Sequence, residues 1–232
     1  MTAAPMGSDH ENAPPAFRAR YGPEALFHRY ARARLQQFAW RQFSTAICLA
    51  ILWVSVSGKI ALVALAIAVV GELVECLALA WILRASAGDA PFPRLMAIAG
   101  IAGAIQATSV AACVLILVVL APGGAEQLIA LIVLMAAAVK GGAALTHAPL
   151  VAKVKLGVFA ICTLLSLVWM IRSVGGAPDG TAMAILEVAV LGYLVYIFLT
   201  FVIQAWRRRI DKERALLATA EALDETVRDL RA

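Results

Sequence analysis

The sequence predicts an all-α membrane protein that crosses the bilayer several times and ends in a cytoplasmic helix. The composition is the first indication: of 232 residues, 62% are hydrophobic and only 15% are charged, and the mean hydropathy is +0.86. A soluble core of this size cannot use so much apolar surface. Apolar segments of membrane-spanning length and an abruptly charged C-terminal segment are the second and third indications.

Six apolar segments predict a six-helix transmembrane domain over residues 43–206. Most of them reach the roughly 20 residues that a bilayer requires. The first is the weakest, because its uninterrupted apolar run extends only from Phe43 to Val56. The segments cover residues 39–57, 60–83, 95–121, 127–147, 150–172 and 183–206.

The N-terminal 42 residues predict two regions that precede the spans. Residues 1–22 are rich in alanine, proline and small polar residues and contain no apolar signal-peptide core, so we expect a disordered tail. Residues 23–42 combine apolar residues at helical spacing with arginines. Such a basic amphipathic helix either lies in the headgroup layer or simply leads into the first span.

The distribution of lysine and arginine predicts the orientation. Basic residues concentrate in the N-terminal region, at Arg84 and Arg94, at Lys153 and Lys155, and after Trp206. The positive-inside rule therefore places both termini of this multi-pass protein in the cytoplasm. The basic residues flank apolar segments and form no continuous stripe, so we expect a lipid bilayer and not a nucleic acid as partner.

Ionisable residues inside predicted spans are candidates for a polar centre, because they are costly in lipid. Glu72 and Glu75 lie three residues apart, on one face of the second span. Lys140 of the fourth span lies at a similar depth, so we predict that it pairs with one of these glutamates. The centre either responds to a ligand or proton, or fixes helix packing. Gln106 and Glu187 are further candidates, although Glu187 also suits the outer interface.

Other polar residues predict packing and no catalytic chemistry. Ser109 and Thr163 are expected to form hydrogen bonds between helices. Ala99, Gly103, Ala107 and Ala111 form a small-residue stripe that favours close helix contact. The cysteines and histidines show no metal-site spacing, so we expect no cofactor and no metal.

The C-terminal segment 207–232 predicts a cytoplasmic coiled-coil helix. Trp206 and the three arginines that follow it, Arg207, Arg208 and Arg209, suit the membrane interface. Beyond them, apolar residues step by four and three, which is a seam of about two heptads and favours a parallel homodimer. The alternative is an amphipathic cap on the membrane surface. The seam consists of Leu216, Ala220, Leu223, Val227 and Leu230.

This layout resembles the N-terminal input region of bacterial membrane sensor histidine kinases, and diguanylate cyclase input regions are similar. The resemblance rests on six spans followed by Trp206–Arg209 and a charged helix through Asp229–Ala232. It implies a sensory module of the bacterial inner membrane that relays an unknown stimulus through the sixth helix to an output domain absent from these residues. No catalytic residue is carried over. A small ion- or proton-coupled transporter and a membrane anchor that dimerises a partner are the alternatives.

Overall fold

The computed structural model describes residues 22–55, 57–86, 91–120, 124–173 and 178–229. Within these ranges the chain forms α-helices and one short 3-10 helix, Ala143–Thr146, and no strand. The predicted tail, residues 1–22, lies outside the described residues except for Gly22. The α-helices are α1 Pro23–Gln36, α2 Phe38–Ser55, α3 Gly58–Ala85, α4 Phe92–Leu120, α5 Gly124–Gly142, α6 Pro149–Ser173 and α7 Pro178–Asp229.

The basic N-terminal segment forms α1 and the start of α2, separated only by Gln37. Pro23 at the first helical position and Glu24 in the first turn favour the start of α1. Phe27, Tyr30 and Ala31 are buried, because α1 packs against α3. One face of α1 is therefore part of the protein core and not free to insert into headgroups.

Five helices in the described residues are long and apolar enough to cross a membrane. The candidate spans are Gly58–Ala85, Phe92–Leu120, Gln127–Thr146 (which includes the 3-10 helix), Pro149–Ser173 and Val188–Lys212. The predicted first span corresponds to α2, which is not among them. Its 18 residues extend about 27 Å, slightly less than the roughly 30 Å hydrocarbon layer. The six-span count stays a prediction.

Helix α4 is the centre of the bundle and packs against α3, α5 and α6. Its stripe of Ala99, Gly103, Ala107 and Ala111 is buried, as the small-residue spacing predicts. Gly71 of α3 lies so close to Ser109 that a Cβ atom on it would overlap the serine side chain. Small residues thus set the short distances between helices.

Helix α7 is one continuous helix of 52 residues, and it runs without interruption across Arg207–Arg209. It packs on α5, the 3-10 helix and α6, and its large side chains Tyr193, Tyr196 and Phe201 are exposed. In the predicted seam Leu216 is exposed. The side chains of Ala220, Leu223 and Val227, and all of Leu230, lie outside the described residues, so the coiled coil stays a prediction.

Candidate polar centre and cavity

Five buried or half-buried charged residues meet between α1, α2, α3 and α6 and form what we call the ion cluster. Its cations are Arg34, Arg41 and Lys155, and its carboxylates are Glu72 and Glu75. Glu75 is 1% exposed, and only Arg34, with 15% of its side chain exposed, has noticeable access to the surroundings. The cluster is therefore an internal feature of the bundle.

Glu75 is the most heavily paired member of the cluster. Its Oε1 accepts hydrogen bonds from Lys155 Nζ at 2.6 Å and from Tyr30 Oη at 3.2 Å. Its Oε2 accepts from Arg34 Nη2 at 2.5 Å and from Arg41 Nη1 at 3.2 Å. Both oxygens are thus satisfied by charged or polar donors, which is what a buried carboxylate requires.

Glu72 and Gln106 extend the cluster to α4. Arg41 Nη1 lies 2.8 Å from Glu72 Oε2, and Gln106 Nε2 donates to Glu72 Oε1 at 2.8 Å. Lys155 Nζ donates to Gln106 Oε1 at 2.8 Å. Gln106 therefore uses both ends of its amide to join a carboxylate of α3 to an ammonium group of α6.

The position of Arg41 follows from the hairpin of α2 and α3. Fourteen residues separate Arg41 from the end of α2 at Ser55, and fourteen separate Glu72 from the start of α3 at Gly58. Each distance is about 21 Å along a helix axis. Arg41 thus reaches the level of the glutamates because the two helices run antiparallel from a short connection.

Tyr30 contributes a neutral donor from α1. Burial, and next the nearby negative charge of Glu75, raise the pKa of Tyr30 above its usual value of 10.0. The phenol therefore stays protonated and donates to the carboxylate. Together with Arg34 it ties α1 to α3, so the N-terminal helix is held by both apolar and charged contacts.

A cavity of about 240 Å³ adjoins the ion cluster. Arg34, Arg41, Glu72, Gln106 and Lys155 form its polar side. Apolar side chains of α4, α5 and α6 form most of the remainder, with Lys140 at the wall formed by α5. The rest of the lining is Tyr30, Val110, Ile132, Val133, Ala136, Ala137, Gly141, Ala144 and Phe159.

The predicted partner of the glutamates is wrong: Lys155 and not Lys140 forms the ion pair with Glu75. Lys140 is exposed, and no carboxylate of the described residues lies within ion-pair distance of it. Lys140 lies two residues before the end of α5 at Gly142, whereas Lys155 lies six residues after the start of α6 at Pro149. The orientation count groups Lys155 with the basic residues that flank the spans, but α6 carries its side chain into the bundle, where it is buried.

Two sequence signals could have located the cations that the prediction missed. Lys155 continues a helical row with Val151, Phe159 and Cys162, all of which are buried. Phe27, Arg34 and Arg41 recur at seven-residue intervals, so they share one helical face. Lys155 interrupts an apolar row, and the two arginines lie on the face that carries Phe27, which indicates buried partners and not solvated side chains.

Of the other polar residues singled out in the sequence, Ser109 and Thr163 form hydrogen bonds within their own helices, and the Glu187 side chain is not described. The hydroxyls of Ser109 and Thr163 donate to the carbonyls of Ile105 and Phe159 on their own helices, so the predicted interhelical bonds are wrong there. The Glu187 side chain lies outside the described residues, as do those of Arg207 and Arg209. Among the residues that the structure describes, no cluster of His, Cys, Asp and Glu suits a metal ion.

No protein-family model, curated protein or solved structure matches the chain. The functional assignment therefore depends on the geometry of the ion cluster, the cavity and α7.

The C-terminal end of α5 joins the cavity to α7. Gly141 lines the cavity, and the next residue, Gly142, lies so close to Leu199 of α7 that a Cβ atom on it would overlap that side chain. A few residues further, the rings of His147 and Trp206 pack with their centroids 4.5 Å apart. Trp206, predicted as an interface anchor, thus also holds α7 to the α5–α6 connection.

Proposed function

We propose that the chain is the sensory membrane module of a signal-transduction protein, with both termini in the cytoplasm. In this proposal α7 relays the state of the ion cluster and cavity to an output domain of the sensor histidine kinase or diguanylate cyclase type. The observation that carries the proposal is that one turn of α5 contacts both the cavity and α7. Gly141 lines the cavity and Gly142 receives Leu199 of α7, so a displacement of this turn acts on both.

The continuous form of α7 makes it a suitable relay. Its 52 residues include no break between the bundle and the charged segment. Packed helices respond to a change in contacts by shifts of about 1–2 Å or by small rotations. Such a shift at Leu199 passes along the helix to the seam without loss in a flexible linker.

The weak attachment of α7 to the bundle supports its role as a relay. None of the described side chains in the candidate span Val188–Lys212 is buried, whereas each of the other candidate spans has buried positions. A helix that buries few side chains against the bundle has a low cost of moving, as signalling elements require. The exposed apolar side chains face lipid or a second copy of α7.

Cysteine crosslinking in native membranes tests the relay through a dimer. Single cysteines at Leu216, Leu223, Val227 and Leu230 are expected to crosslink two copies, because these positions form the predicted seam. Cysteines at Ala218, Glu221 and Glu225 serve as controls on other faces. Crosslinking at every position, or at none, contradicts the proposal.

A transporter is the second candidate, and one observation favours it. Glu72, a carboxylate of the ion cluster, also lines the cavity, which is the arrangement expected of a coupling site. Proteoliposomes with an internal pH dye distinguish the candidates. Proton movement that depends on Glu72 would favour transport, and its absence together with a seam-specific crosslinking pattern would favour the sensory module.

A further inference from the structure

The charges around the cavity do not balance. Arg34, Arg41, Lys155 and Lys140 provide four cations, whereas Glu72 and Glu75 provide two carboxylates. Two positive charges are left among the described residues of the cavity and the ion cluster. An excess of cations in a low-dielectric region attracts an anion.

Lys140 is the cation that most requires a counterion. It lies within a candidate span and is exposed on the outside of the bundle. No carboxylate of the described chain pairs with it. A lysine at such a position costs several kcal/mol in lipid unless it reaches the interface or finds a partner.

The cavity wall next to Lys140 is shaped for an apolar chain. Ile132, Ala136 and Lys140 follow one another at four-residue steps on one face of α5, and all three line the cavity and are exposed. The row extends about 12 Å along the helix. It therefore offers an apolar track that is open to the bilayer and ends at an ammonium group.

We propose that this cavity binds a singly charged amphipathic anion, a carboxylate head on a short apolar chain. The head lies between Lys140 and the cationic side of the ion cluster, and the chain follows Ala136 and Ile132. At about 30 Å³ per water-sized group, 240 Å³ holds about eight such groups. Hexanoate has a matching size, and an anionic lipid that enters from the bilayer would offer the same combination of one negative charge and an apolar chain.

The inference deepens the proposed function by naming the ligand class, and only its signalling purpose rests on that proposal. Binding is measured directly, without an output domain and without the seam. A protein that binds the anion but shows no seam would retain this inference and lose the sensory relay. A protein that shows the seam but does not bind the anion would retain the sensory relay and lose this inference.

Equilibrium dialysis with radiolabelled hexanoate tests the inference on the full chain in phosphatidylcholine nanodiscs. We expect saturable binding that unlabelled hexanoate displaces and hexanamide, the neutral analogue, does not. Lys140→Met is expected to weaken binding at least about tenfold. Lys153→Met removes another exposed lysine, outside the cavity lining, and is expected to leave binding unchanged.

A second pair of variants changes the space and not the charge. Ala136→Leu fills the apolar track and is expected to reduce binding, whereas Ala66→Leu enlarges an exposed alanine of α3 outside the cavity lining and is not. If anionic lipid is the natural source, nanodiscs with phosphatidylglycerol compete with hexanoate in wild type. Absence of saturable binding, equal displacement by hexanamide, or equal affinity of wild type and Lys140→Met would each overturn the inference.

Discussion

Lys155 Nζ lies 2.6 Å from Glu75 Oε1, and this ion pair joins α6 to α3 inside the bundle. Both side chains are almost fully buried, at 3% and 1% exposure. Removal of one partner of such a pair is costly because the other charge stays buried without its full complement. The pair therefore makes the ion cluster a determinant of both helix packing and charge.

Single and double substitutions at this pair should reveal the coupling. Glu75→Gln leaves Arg34, Arg41 and Lys155 around one remaining carboxylate. We therefore expect the free energy of unfolding to fall by about 3 kcal/mol or more. Adding Lys155→Met should recover part of that loss, because it removes a cation that has lost its partner. Thermal unfolding in detergent measures the effect, and additive losses would contradict the coupling.

A methyl group at Gly103 should disturb the position of Lys155. A Cβ atom there would lie 2.8 Å from Val151 Cγ1 and 3.1 Å from Lys155 Cε, so Gly103→Ala is expected to cost about 1–3 kcal/mol by overpacking. Gly157→Ala is the matched control, since nothing lies within 4 Å of its added methyl. Equal unfolding temperatures for the two variants would contradict the described packing of α4 on α6.

Acidification should weaken the contact between His147 and Trp206. Burial, and next the positive charge of Arg29, lower the pKa of His147 below its usual value of 6.5. The folded protein therefore favours the neutral ring, and the resulting stability is present above pH 6.5 and is lost as the pH falls below it. We expect a smaller decrease in unfolding temperature from pH 7.5 to 5.5 for His147→Gln than for wild type. The same decrease in both would contradict this role.

Labelling of introduced cysteines tests the orientation. The positive-inside rule places Ser86, after α3, in the cytoplasm and Lys59, at the start of α3, outside. A membrane-impermeant maleimide should label a cysteine at position 59 in intact cells and one at position 86 only after lysis. Labelling of position 86 in intact cells would reverse the assigned orientation.

The sequence predicted helices better than it predicted partners. The apolar runs located α3 to α6 and the uninterrupted α7, because length and hydropathy determine what crosses a bilayer. Glu72, Glu75 and Gln106 were recognised as candidates from their cost in lipid. Their cations were not, because charge counting grouped Lys155 with the cytoplasmic residues that flank the spans and placed Arg34 on a surface helix. Which of several lysines faces a glutamate depends on helix rotation, and that is fixed by packing across the bundle.

The relay claim is tested by changing the contact between α5 and α7 without changing a charge. Gly142→Ala places a methyl group against Leu199, whereas Gly192→Ala adds one where nothing lies within 4 Å. We expect Gly142→Ala to change the relative crosslinking efficiency at Leu216, Leu223 and Val227. A pattern that changes equally in both variants would favour a simple anchor.

Pulsed electron–electron double resonance on the full chain in nanodiscs is the most direct test of the relay from the cavity to α7. One spin label is placed at Arg94, at the start of α4, and the other at Ala215 of α7, both exposed positions outside the predicted seam. Lys140→Met alters only the cavity charge, so the relay predicts a shift of the distance distribution by about 2 Å, with no shift for Lys153→Met. Identical distributions for wild type, Lys140→Met and Lys153→Met would contradict the proposal that α7 reports the state of the cavity.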